Sequence, residues 1–172
     1  MRFDTFVALT KICQRWPAEH GKIIQVLLGI SFDKARGGFS VENLFSEGVD
    51  LEMTRGAERF VLEVKTTAGS YVTLQPKDVS GLKAKSAKDG YVPAVAALKL
   101  QYLADWVIAK AARLEPGCYT PDRLSLDSIP ELESIAHVQF PKTVSELKHQ
   151  VLNPPTGAPL EFLAEILMKE SA

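Results

Sequence analysis

Cysteine is scarce. Cys13 and Cys118 are the two in 172 residues and lie far apart in the chain. This excludes a disulfide framework and a cysteine-based metal cluster, and it fits a reducing, cytoplasmic setting. Of the three histidines, His137 and His149 have no partner at metal-ligand spacing, and His20 sits beside Glu19. No run approaches the roughly 18 apolar residues of a membrane span. The start, MRFDTFVALTK, carries an acid and lacks the apolar stretch of a signal peptide, so neither a membrane nor an export route is expected. Charge of one sign is missing too: 20 basic against 21 acidic residues leave a net charge of −1. That excludes a strongly basic coat for non-specific nucleic-acid binding and leaves room for a local basic face. Internal repeats and low-complexity tracts are absent.

What is present is ordinary for a globular chain, 46% hydrophobic and 24% charged, and long enough to bury a core without staples. Residues 4–16 read as an amphipathic helix, with Phe6, Leu9, Cys13 and Trp16 at three- and four-residue spacings and Asp4 as cap. Pro17 suits the first position of a second helix with Ile23, Ile24, Leu27 and Leu28 on its apolar face. Residues 39–45 form a candidate strand. A hairpin follows, with arms 49–53 and 59–67 around a turn at 54–58. Pro76 and Asp78 open a lysine-studded helix that Asp89 and Gly90 stop. Residues 91–100 read as a strand buried on both faces, and 105–114 as a further strand. Beyond Glu115 seven prolines break the pattern, and helices are expected only at 143–152 and 159–169. The expected organisation is a core over 1–117 with an N-terminal helix, and an extension over 118–172 packed on that core or on a dimer partner.

The segment VDLEMTRGAERFVLEVKTT carries the chemistry. Alternate residues of a strand share a face, so Glu63 and Lys65 point one way while Phe60, Leu62 and Val64 point the other. A hairpin turning about Gly56 and Ala57 sets Asp50 roughly opposite residues 62–64. Cross-strand neighbours on one face lie about 5 Å apart at Cβ, close enough for Asp50 and Glu63 to share a divalent cation that relieves their repulsion. With 13 Glu and 13 Lys in the chain, about one Glu-x-Lys triplet arises by chance, and there are two. The second, Glu146-Leu147-Lys148, falls in a helical stretch where i and i+2 face apart. The triplet alone therefore means little. Its place on an apolar strand, after an Asp-bearing strand and a tight turn, is what distinguishes it. The plain alternative is a salt-bridged pair on the wet side of a half-exposed strand.

At these residues the chain resembles the PD-(D/E)XK nuclease superfamily, closest in pattern to archaeal-type Holliday-junction resolvases and some restriction endonucleases. The matching pieces are AEHGKIIQVLL, EGVDLEM, FVLEVKTT, KDVSGLKAKSAKDG and YVPAVAALKL, over about residues 17–114. Val49 stands where the name-giving proline often is. The resemblance implies an α/β fold with an αβββαβ restriction-endonuclease-like core, a mixed central sheet flanked by helices. It makes Asp50 and Glu63 metal-binding acids, the backbone of Val64 a further metal ligand, and Lys65 the catalytic lysine. Glu19, near the head of the second helix, is the match for the family's helix acid, with Glu42, Glu47 and Glu52 as rivals. The implied cofactor is Mg²⁺, with Mn²⁺ able to substitute, and no organic cofactor.

The implied activity is Mg²⁺-dependent hydrolysis of DNA phosphodiester bonds by a homodimer, since two strands require two cuts. Lys65 suits electrostatic stabilisation better than general-base work, which would need a depressed pKa. Lys77, Lys83, Lys85 and Lys88 on the helix after the Glu-x-Lys strand, with Lys34, Arg36, Arg55 and Arg59 near the first three strands, are candidates for DNA contact. Two other classes stay open: a catalytically inactive nuclease-like DNA-binding or assembly module, and an α/β interaction protein whose charged strand is merely solvated.

Overall fold

The computed structural model describes residues 2–44 and 49–170, with side chains for all of these except 42–44 and 168–170. Two helices lead, α1 (Phe3–Arg15) and α2 (His20–Lys34), followed by strands β1 (Ser40–Leu44), β2 (Leu51–Arg55), β3 (Glu58–Thr67) and β4 (Val72–Leu74). Helix α3 (Pro76–Asp89) precedes β5 (Val92–Lys99), β6 (Trp106–Lys110) and β7 (Gly117–Tyr119). The short α4 (Pro121–Leu124), a 3-10 turn, α5 (Pro130–Leu152) and α6 (Pro159–Glu170) complete the chain. The sheet order is β1-β2-β3-β5-β6, with β3 and β5 parallel and every other neighbouring pair antiparallel. The architecture is thus α/β, a mixed central sheet flanked by helices. The run α2, β1, β2, β3, α3, β5 is the αβββαβ order, with β4 inserted before α3.

Strand alternation divides the protein into two layers. Phe60 and Leu62 of β3, with Ala94, Ala96 and Leu98 of β5, join α1, α2, α5 and α6 in the main core. Val61, Val95 and Ala97 face the other way and pack with Val79 and Leu82 of α3 in a smaller cluster. The β2–β3 hairpin closes more tightly than its sequence suggests. Arg55 pairs with Glu58, and Gly56 takes a φ of 59° in the two-residue turn.

Four expectations need correction. Pro17 opens a turn rather than α2: the amides of Glu19 and His20 both bond the Trp16 carbonyl, and the helix starts at His20. The strand expected over 105–114 ends at Lys110. The three-residue strands β4 and β7 pair with each other, and neither is long enough to show a periodicity. Helix α5 runs through Pro141 for 23 residues. Proline removes one backbone donor there, but Leu132, Ala136, Phe140, Val144, Leu147 and Val151 form an unbroken buried stripe against α1 and α2. Packing outweighs the local cost. Helix α6 lies on α2 and α5, with Leu163 and Leu167 in the same core. Among the described residues, no helix is long and apolar enough to cross a membrane.

Candidate active site

A cleft of about 440 Å³ opens where β2 begins and β3 runs on without it. Asp50 sits just before β2 and is fixed at three points. Its amide donates to the Leu62 carbonyl at 3.1 Å, its own carbonyl accepts from Gln25 Nε2 at 2.8 Å, and its Oδ2 accepts from the Val64 amide at 2.8 Å. These bonds show that Leu62 and Val64 turn their backbone groups toward the β2 side. In an extended strand the amide and carbonyl of one residue point the same way, so the Val64 carbonyl also faces this gap. Its side chain packs on the main core.

Glu63 and Lys65 project from the opposite face of β3, toward α3. Glu63 is only 5% exposed, and Lys65 Nζ lies 2.6 Å from its Oε1 and 2.7 Å from Asp78 Oδ2. Chain topology brings Asp78 here, because the connection from the end of β3 returns through β4 and delivers the first turn of α3 over the cleft. Gly21, Lys22 and Gln25 of α2 line the other wall, and Lys77 stands beside Asp78.

The electrostatics follow from burial and crowding. Burial, with the nearby Asp50 charge, raises the Glu63 carboxyl to about 7, against the pull of Lys65. Asp50 is also raised, mainly by burial, although the Val64 amide and Lys65 oppose the rise. Burial pulls the Lys65 ammonium down, but its contacts with Asp78 and Glu63 outweigh burial and hold it above the ordinary lysine value. So held, Lys65 keeps its proton at neutral pH. Asp78 is lowered overall: burial raises it, and Lys65 with the Gln75 amide more than offsets the rise.

Among the candidates, then, Asp50, Glu63, Val64, Lys65 and Lys77 come together. Glu19 does not line the cleft. It holds the N-cap position of α2, about 4.5 Å of helix rise before Lys22, so the helix reaches the site but presents Lys22 and Gln25. Glu52 shares the face of Asp50, yet its buried carboxylate pairs with Lys85 at 2.7 Å. Glu47 and the side chain of Glu42 lie outside the described residues.

Most of the basic candidates stand elsewhere. Lys83 pairs with Glu115 at 2.9 Å. Arg55 pairs with Glu58 and Glu131 and covers the Phe39 ring at 4.3 Å, at the hairpin end about 17 Å from Glu63 along β3. Lys34 lies 3.5 Å from Glu146 at the end of α2, about 18 Å from the cleft wall, and the exposed Arg36 follows it. Lys88 and Arg59 are exposed and do not line the cleft. His20 bonds the Pro17 carbonyl and His137 the Trp106 carbonyl, both through ring nitrogens.

Three polar residues of the cleft escaped the sequence reading: Lys22, Gln25 and Asp78. Asp78 was visible only as a helix-opening residue, and nothing local distinguishes Lys22 or Gln25 from other positions of an α2 turn.

Among the described residues no three His, Cys, Asp or Glu side chains converge as a metal cluster. Asp50 and Glu63 line one cleft, and the Val64 carbonyl faces it. This oxygen-only set, with a crowded and buried Glu63, fits a hard divalent cation that keeps several of its own waters.

The fold and cleft define a mixed α/β protein with two acids and a lysine at an open strand edge. No protein-family model matches the chain, and no curated protein matches it in sequence. Among solved structures the chain is similar to Hjc, a Holliday junction resolvase from the archaeal hyperthermophile Archaeoglobus fulgidus. The TM-score is 0.47, with 19% identity, covering 57% of this chain and 84% of that one.

Proposed function

We propose that the protein is a Mg²⁺-dependent DNA endonuclease that hydrolyses phosphodiester bonds, resolvase-like or restriction-type in its substrate. The observation that carries this reading is the convergence of Asp50, Glu63, the Val64 backbone and Lys65 on one cleft. When bound, Mg²⁺ supplies a water made nucleophilic near neutral pH and a counter-charge for the reacting phosphate. Asp50 and Glu63 hold it, with the Val64 carbonyl, and Mn²⁺ substitutes. Gln25 and the Val64 amide orient Asp50 from two sides. Lys65 places a positive charge where negative charge grows on the phosphate. Lys22 and Lys77, on opposite walls, receive phosphates of the same strand on either side of the scissile one. Two cuts in a duplex take two such sites, so the active species on this reading is a homodimer.

A module that binds DNA without turnover is the second reading, favoured by one observation: α2 brings Gln25, not an acid, to the cleft. Incubating the protein with plasmid and with four-way-junction DNA, in Mg²⁺ and in EDTA, separates the two. Mg²⁺-dependent cleavage that Asp50→Asn removes supports the nuclease. Binding without cleavage at any metal concentration rules it out.

A further inference from the structure

Asp78 matches no motif residue of the resemblance, yet it is one of the buried charges of the protein, 4% exposed. Part of its placement has a local explanation. As the third residue of α3 it accepts from the Gln75 amide at 2.8 Å and completes a capping box with Gln75. Capping explains an acceptor at this position. It does not explain an ion pair between this buried carboxylate and a half-buried lysine from another element, which costs desolvation on both sides.

The arrangement around Lys65 does explain it. The ammonium has two acceptors, Glu63 Oε1 at 2.6 Å and Asp78 Oδ2 at 2.7 Å. On the reading above, Glu63 is also a ligand of the divalent cation. Two cations then seek the same carboxylate, and an ammonium left with no other acceptor competes directly with the metal. Asp78 offers the alternative, in a place fixed by the Gln75 amide. We propose that Asp78 is a positioning residue: it draws Lys65 off Glu63, so that lysine and metal occupy neighbouring places instead of contending for one. The inference rests on the nuclease reading and deepens it by assigning a residue outside the recognised motif.

The variants separate this role from capping. Asp78→Asn keeps an oxygen for the Gln75 amide and removes only the charge that holds Lys65. Asp78→Glu keeps the charge. Lys65→Met removes the competitor in either background. Calorimetric titration of Mn²⁺ into the full chain, wild type, Asp78→Asn, Lys65→Met and the double variant, forms a closed cycle.

Asp78→Asn is expected to weaken Mn²⁺ binding by at least about fivefold in the wild-type background. In the Lys65→Met background the same substitution changes affinity by less than about twofold, because no ammonium is left to displace. In cleavage assays Asp78→Asn lowers kcat with KM for DNA unchanged, and Asp78→Glu recovers most of it. An Asn that merely caps would leave kcat as it is.

An Asp78→Asn effect above twofold that persists in the Lys65→Met background overturns the proposal, since Asp78 would then be attracting the cation by its own charge. Unchanged Mn²⁺ affinity in Asp78→Asn overturns it as well. A wild-type chain that takes up no Mn²⁺ and cleaves nothing refutes the nuclease reading itself, which is a different result from either of these.

Discussion

Replacing Glu63 by glutamine should stabilise the metal-free protein, and the size of the effect should depend on pH. Glu63 is 5% exposed, faces Asp50 and Asp78 as like charges, and has Lys65 as its cation. Burial and crowding raise it from the ordinary 4.5 to about 7. The folded state therefore holds the Glu63 proton through a range in which the unfolded chain has released it. Stability is complete below pH 4.5 and is lost as the pH rises toward 7, by about 3 kcal/mol in full. A glutamine in its place would keep an acceptor for Lys65 and carry no charge, so Glu63→Gln mimics the protonated form at every pH. Urea denaturation in EDTA, followed by the fluorescence of Trp16 and Trp106, measures the difference. At pH 8 the variant should be more stable than the wild type by about 2–3 kcal/mol, and at pH 4 the two should agree. Mg²⁺ at a hundred times its Kd should return about 2.7 kcal/mol to the wild type at pH 8 and far less to the variant. A Glu63→Gln protein less stable than the wild type at pH 8 without metal would refute the argument, because Glu63 would then be a satisfied ion-pair partner and not a crowded ligand.

Asp50→Asn should abolish Mg²⁺-dependent cleavage while leaving DNA binding intact or tighter, as measured by gel shift, since one carboxylate fewer faces the phosphate; full cleavage would place the site elsewhere. The salt dependence of DNA binding should be shallow, a slope of log K against log salt of about −2 to −3, if Lys22, Lys77 and Lys65 are the main phosphate contacts. A slope steeper than about −6 would mean that the ion-paired Lys34, Arg55, Lys83 and Lys85 exchange their carboxylates for phosphates. Phe140→Ala, which removes a ring 2% exposed and stacked edge-on against Trp106, should cost about 3–5 kcal/mol in denaturant unfolding, although Phe140 lies in the part of the chain that reads most weakly as sequence.

The contrast between β3 and α5 shows where the sequence was legible. The β2–β3 hairpin could be read because its signals are local: period-two alternation, a glycine turn, and a partner strand only a few residues away. Helix α5 could not, because Pro141 is a strong local breaker and the compensating stripe from Leu132 to Val151 acquires its meaning only against α1 and α2, more than a hundred residues earlier. Strands β4 and β7 illustrate the same limit. Three residues each, they exist because Val72 and Tyr119 pair across nearly fifty positions.

The site divides along the same line. Asp50, Glu63 and Lys65 converge by register within one hairpin, and register is a property that spacing reveals. Charge pairing is not. Lys85 and Lys77 are similar residues on one helix in sequence, but Lys85 meets the buried Glu52 of β2 while Lys77 lines the cleft. Arg55 reads as a cation available to phosphate until β3 and α5 bring Glu58 and Glu131 to it. Asp78 is the converse case, a residue that looks like a cap until α3 folds back over β3. Folding ties Lys85, Arg55, Lys83 and Lys34 to carboxylates away from the cleft, while Lys65 is shared by Glu63 and Asp78 inside it and Lys77 lines its wall.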